Sequence, residues 1–184
     1  MLHIRKHVRL RNYDYSSPGD YFITMNTKNR VHFFGEIISP DNNSFSIGLN
    51  HEKEMLLNDI GSRVQACLQE LSQHFCDAEV DEFIVMPDHV HLNLTLKKPS
   101  ASNSILVQKE FKNNQFSRPV AGSVSVIIQQ FKAEVNRWCG KNGFEEFQWQ
   151  PRFYDRLIRD YDEFARVKNY IKENPSNWGK RKRI

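Results

Sequence analysis

Phe83-Ile84-Val85-Met86-Pro87-Asp88-His89-Val90-His91-Leu92-Asn93-Leu94-Thr95-Leu96 is the stretch whose reading decides the fold. From Val90 onward apolar and polar residues alternate, which is the period of a strand with one buried face. His89, His91, Asn93 and Thr95 share one side, and Val90, Leu92, Leu94 and Leu96 fill the other. Same-face neighbours on a strand stand about 6.5 to 7 Å apart, so the two imidazoles can converge on one divalent cation and leave its other positions open. A third ligand has to come from elsewhere in the chain. By itself the tripeptide is a weak signal and better fits the mere polar side of an antiparallel strand. Val80 to Val85 reads as the preceding strand, and the proline marks a turn, so the two strands make a hairpin.

Working outward, 184 residues with 39% apolar content are enough for one domain with its own core, residues 1–184. Cys67, Cys76 and Cys139 form no C-x-x-C pair and are odd in number, which points away from a disulfide framework or a cysteine zinc site. No run of 18 apolar residues occurs, and the charged start is unlike a signal peptide. The expectation is a cytoplasmic, nucleoid-associated protein with no membrane contact. The formal charge is only +4, but basic residues gather in an N-terminal arm (1–12, with Arg5), in the second half and in the tail 179–184 (Lys180, Arg181). A polyanionic partner fits this distribution.

Tyr21 to Thr27 reads as a first strand, Lys28-Asn29-Arg30 as a turn, and Val31 to Gly35 as the next strand. Ser44 to Leu49 suits a short strand. Met55, Leu56, Ile60, Val64, Cys67, Leu68 and Leu71 fall at spacings of three and four, which predicts one long helix from Asn50 to Phe75. The polar segment 99–122, with Lys109 and Lys112, reads as a binding loop or a disordered connection. Ser123 to Cys139 is a second helix with Ser123 as its cap, carrying Lys132 off its apolar stripe. The segment 147–159 mixes aromatic and basic residues, Arg152 and Tyr154 among them, and its later part suits a strand. Its aromatic rings could stack on bases or simply half-bury. Asp160 to Asn174 is the last helix, with Phe164, Val167, Ile171 and Tyr161 inward and Pro175 closing it. Tyr170 and Asn174 lie one turn apart on one face.

Taken together these landmarks resemble the single-tyrosine transposases of the HUH nuclease superfamily, and among them the REP-associated tyrosine transposases. The matching segments run in order: Arg9 to Thr24, Thr27-Lys28-Asn29-Arg30, Val85 to His91, Phe131-Lys132, Trp149 to Asp155, Leu157-Ile158-Arg159 and Tyr170 to Pro175. The resemblance implies an α+β fold of ferredoxin-like (RRM-like) type, a central antiparallel sheet with helices on one face. It implies that His89, His91 and Asn174 hold Mg²⁺ or Mn²⁺ and that Tyr170 is the nucleophile, with Tyr154 as its rival. A phenol, ordinarily titrating near pH 10, attacks only when a nearby cation favours the phenolate. The implied substrate is single-stranded DNA with a hairpin, cleaved and rejoined through a 5′-phosphotyrosine by a monomer or homodimer. Lys132, Arg152, Arg5, Lys180 and Arg181 are its candidate backbone contacts. The alternative is a hairpin-binding protein of DNA or RNA that has lost the cleavage.

Overall fold

A computed structural model describes residues 13–39, 53–97 and 120–180. The basic arm with Arg5, the strand expected at 44–49, Lys109 and Lys112 in the loop, and Arg181 in the tail lie outside the described residues. Among these residues six strands are formed: β1 (Gly19–Asn26), β2 (Gly35–Ile38), β3 (Glu54–Leu57), β4 (Ala78–Met86), β5 (His89–Leu96) and β6 (Tyr154–Ile158). Four α-helices accompany them among the described residues: α1 (Asp59–Gln69), α2 (Leu71–His74), α3 (Val124–Lys141) and α4 (Tyr161–Lys172). The main sheet is antiparallel throughout, in the order β4-β5-β1-β6. β2 and β3 pair separately as a two-stranded ribbon.

The alternation read in β5 is what sorts the molecule into layers. Val90, Leu92, Leu94 and Leu96 join Tyr21, Ile23 and Met25 of β1 on one face, under Ile60, Val64 and Leu68 of α1 and Ile127, Ile128 and Phe131 of α3. Each of these aliphatic side chains contributes about 1.5 to 3 kcal/mol by leaving water, and this layer is the main core. The opposite face carries His89 and His91. Here the cross-strand partner of His91 is Thr24 and that of Asn93 is Phe22. A smaller cluster of Phe22, Ile158, Val167 and Ile171, with Ile84, Phe164 and Tyr170 against it, seats α4 on this side. Three ion pairs rim that contact, Lys172 with Glu82, Lys168 with Asp81 and Arg156 with Glu163.

Four expectations are corrected. Helices cover both faces of the sheet, because the apolar stripe of α4 matches Phe22 and Ile158 on the histidine side. Residues 31–33 are not a strand; pairing begins at Gly35, opposite Leu57. Of the long helix expected over 50–75, the described residues 53–75 form a strand and two helices. Met55 and Leu56 belong to β3, which alternates in exposure and pairs with β2. Asn58 then caps α1, its side chain accepting from the Gly61 amide. A capping side chain at that point defines a helix start that the apolar spacing of three and four runs straight through. By contrast α3 is capped by Ser123 as expected. Tyr161 is exposed at the start of α4, outside the inner stripe.

Candidate functional site

The hairpin β4-β5 turns through Pro87-Asp88, pairing Met86 with His89. This sets Asp88 directly beside the histidine pair, where both are almost wholly buried. One Asp88 oxygen accepts from His89 Nδ1 at 2.6 Å, and the other meets Arg30 Nε at 2.8 Å. The carboxylate is thus shared between an imidazole and a guanidinium. Arg30 reaches it from the turn after β1, where Asn29 and Arg30 both take left-handed backbone conformations at φ 56° and 59°. Such a conformation is unfavourable for an arginine, and here its guanidinium is held by Asp88 and by the side-chain oxygen of Asn26.

His91 is held from the other side, its Nδ1 sharing a hydrogen bond with Thr24 Oγ1 at 2.8 Å and its ring stacked on Phe22. The Nε2 atoms of His89 and His91 face one another at 3.1 Å. Burial, then the neighbouring His89 and Arg30, push the His91 pKa well below the ordinary histidine value. A neutral imidazole has a single N–H. In the neutral form of His89, the N–H given to Asp88 leaves the Nε2 lone pair facing His91.

That arrangement suits a cation. Metal-ligating histidines characteristically donate their second ring N–H to a carboxylate or another acceptor, which is the relation of His89 to Asp88. Two nitrogens each about 2.1 Å from one ion, at about a right angle, stand roughly 3 Å apart, which the observed separation matches. Among the described residues no group of three or more His, Cys, Asp or Glu side chains could hold a metal. A cation between these imidazoles would therefore take its further ligands from an amide, from water or from substrate.

α4 completes the cleft. The Tyr170 hydroxyl lies 3.5 Å from His91 Nε2, and its ring packs against His91 and edge-on to Phe22. Asn174 follows in the turn after α4, its side-chain N–H donating to the Tyr170 carbonyl at 3.4 Å. Trp178 lies nearly parallel to the His89 ring, with centroids 6.0 Å apart. The resulting open cleft of about 560 Å³ is lined by Thr24, His89, His91, Tyr170, Asn174 and Trp178, with Arg30, Arg166 and Lys180 as its cations.

Of the residues expected from sequence, His89, His91, Tyr170, Asn174 and Lys180 come together here. Lys132 and Arg152 do not line the cleft. The Lys132 ammonium donates to the carbonyls of Gln150 and Arg152 at 3.0 and 2.7 Å and lies over Trp149; burial brings its pKa down to about 8. It fastens a turn and is not a free surface cation. Tyr154 lies outside the cleft, in contact with Phe22. Arg30, Asp88, Thr24, Arg166 and Trp178 carried no expectation of a role. Thr24 could be found only from strand register, and Trp178 only from the turn that follows α4.

No family model matches the chain. A protein of Haemophilus influenzae, itself uncharacterized, is 30% identical over 177 residues, spanning 96% of this chain and 91% of its own length. A second protein of that organism, provisionally named a REP-associated tyrosine transposase, is 25% identical over 135 residues, 73% of this chain and 70% of the relative. The solved structure of a REP-associated tyrosine transposase bound to a REP hairpin superposes with a TM-score of 0.53 at 21% identity, covering 93% of this chain and 74% of that one. The chain is therefore related in sequence to a provisionally named REP-associated tyrosine transposase and shares its fold with the solved one. The antiparallel sheet with helices packed on it is the HUH fold, and it is the frame in which His89, His91 and Tyr170 meet. No helix among the described residues is long and apolar enough to cross a membrane.

Proposed function

We propose that this transposase relative cleaves and rejoins single-stranded DNA at hairpin-bearing ends through a covalent bond to Tyr170. The observation that carries this reading is the Tyr170 hydroxyl 3.5 Å from His91 Nε2, in one cleft with His89 and Asn174. Hairpin DNA is named because the solved transposase of the same fold is bound to a REP hairpin.

His89, His91 and Asn174 would hold Mg²⁺ or Mn²⁺; when bound, such an ion supplies Lewis-acid stabilisation of charge on a non-bridging phosphate oxygen. The remaining work falls to the chain itself. Asp88 and Thr24 fix the two imidazole rings, so their Nε2 atoms need no reorganisation during the reaction. Phe22 and His91 pack the Tyr170 ring, limiting the directions in which its oxygen can approach a phosphorus atom. The phenol loses its proton and its oxygen bonds to phosphorus as the bond to the 3′ oxygen breaks. That oxygen takes up a proton and leaves as a free 3′-OH, while the DNA 5′ end stays on Tyr170. Attack by another strand's 3′-OH runs the same steps backward and returns the phenol, so the exchange of one phosphodiester for another needs no further energy source. Arg30, Arg166 and Lys180 supply positive charge for the strand on either side.

Incubation with Mn²⁺ and end-labelled single-stranded hairpin DNA from the gene's own flanks, followed by a denaturing gel, tests the reading. A covalent adduct is expected for the parent and none for Tyr170→Phe, which should still bind the DNA. An adduct that survives in Tyr170→Phe and is lost in Tyr154→Phe would move the nucleophile to Tyr154. DNA binding with no adduct at any flanking hairpin would leave a binding protein in place of an enzyme.

A further inference from the structure

Tyr154 begins β6 at the end of the sheet where the histidines lie, and its cross-strand partner is Thr24, which is in turn partnered by His91. The three share one rung and one face, so Tyr154 sits two strand spacings from His91, about 10 Å. Its ring touches Phe22, the buried residue on which His91 stacks and against which Tyr170 packs. Unlike those rings it is 37% exposed. Among the described residues its phenol has no hydrogen-bond partner, so its contact with Phe22 leaves both the hydroxyl and part of the ring open to a ligand.

The surroundings are cationic. Arg152, two residues earlier, is exposed and takes a left-handed conformation with φ 69°. Lys132 ties down the carbonyl of that same residue. An unfavourable backbone held in this way fixes where the Arg152 side chain leaves the surface. Arg156 stands next to Tyr154 on the same face of the same strand, half-exposed and paired with Glu163. Arg152 therefore adds positive charge beside an exposed aromatic face on the edge strand of the sheet that carries the histidines.

We infer that Tyr154 is a base-stacking platform for the nucleotide next to the phosphate in the cleft, with Arg152 on the adjoining backbone. This rests on the reading that single-stranded DNA occupies the cleft, and it names where the strand leaves it. Aromatic rings beside a cationic track are the general means of holding single strands without base preference, because every base offers a flat face.

The test uses full-length protein carrying Tyr170→Phe, so that bound DNA stays uncut, and two fluorescent 20-nucleotide probes. One is oligo(dT); the other is an abasic strand with the same phosphates and no bases. Tyr154→Ala should weaken oligo(dT) binding by about ten-fold or more and leave the abasic strand unaffected, and Tyr154→Phe should bind as the Tyr170→Phe parent does. Equal binding of oligo(dT) by Tyr154→Ala, or the same loss on both probes, overturns the platform. Loss in Tyr154→Phe overturns it as well, because a hydroxyl contact would then explain the effect. Failure of the hairpin adduct assay together with a base-dependent Tyr154 effect would sink the chemistry and keep the platform, whereas a parent that binds neither probe would sink both.

Discussion

Asp88 is the residue on which the candidate site most depends, since one carboxylate orients His89 and anchors Arg30. Asp88→Asn keeps the shape but removes the charge that favours Nδ1–H donation and the ion pair to Arg30. Outer-shell changes of this kind typically cost about 10- to 100-fold in metal affinity, and calorimetric titration with Mn²⁺ should show a loss in that range. His91 predicts a pH dependence for the metal-free protein. Its pKa is lowered in the fold by burial first, and then by the neighbouring His89 and Arg30. The unfolded chain therefore binds the proton more readily. Stability should be fully present above the ordinary histidine value of about 6.5 and should be lost as pH falls toward the lower folded value. Thermal melts in chelator between pH 7 and 5 should show that decline, and it should flatten in His91→Gln.

At the scale of the element, α1 contains a glycine whose effect runs against helix propensity. Gly→Ala in a helix interior ordinarily stabilises by about 1 kcal/mol. A Cβ at Gly61, however, would run into the Phe34 carbonyl and the Leu57 side chain, both well inside normal contact. Overpacking against backbone costs about 1 to 3 kcal/mol, so Gly61→Ala should lower the urea midpoint. An unchanged m-value would confirm that the loss is of stability alone. The same position shows what local pattern could convey about the elements. α3 was legible because its apolar stripe and its cap at Ser123 agree. At 50–75 they disagree: the spacing from Met55 to Leu71 looks helical throughout, while Asn58 marks the true start. Only the pairing of Glu54–Leu57 with Gly35–Ile38, a non-local contact, decides between them. α4 was legible as a helix, but not the face of the sheet it would cover, since its stripe of Phe164, Val167 and Ile171 would suit either side.

For the whole molecule, the parts of the cleft legible in advance were those carried by short motifs, His89-x-His91 and Tyr170 to Asn174. Their meeting depends on α4 crossing the histidine face, which the family resemblance implied and no local spacing encodes. Arg30 and Trp178 were given no role for the same reason: each acts through a turn that brings it back to β5. The cleft that results gathers Arg30, Arg166 and Lys180 around the histidines and Tyr170, and this gathering has a measurable electrostatic consequence. Binding of a single strand releases condensed counterions, so the logarithm of affinity falls with the logarithm of salt by about 0.7 for each phosphate neutralised. If Arg166 and Lys180 each neutralise one phosphate, replacing both with alanine should make the slope shallower by about 1.4. Arg30 is partly committed to Asp88, so its removal would mix a loss of charge with a disturbed His89 and is the poorer probe. Anisotropy titrations of oligo(dT) between 50 and 300 mM salt would read the slope directly. An unchanged slope in the double variant would mean that the strand's phosphates run elsewhere, while a shallower one would trace their path through the cleft that holds Tyr170.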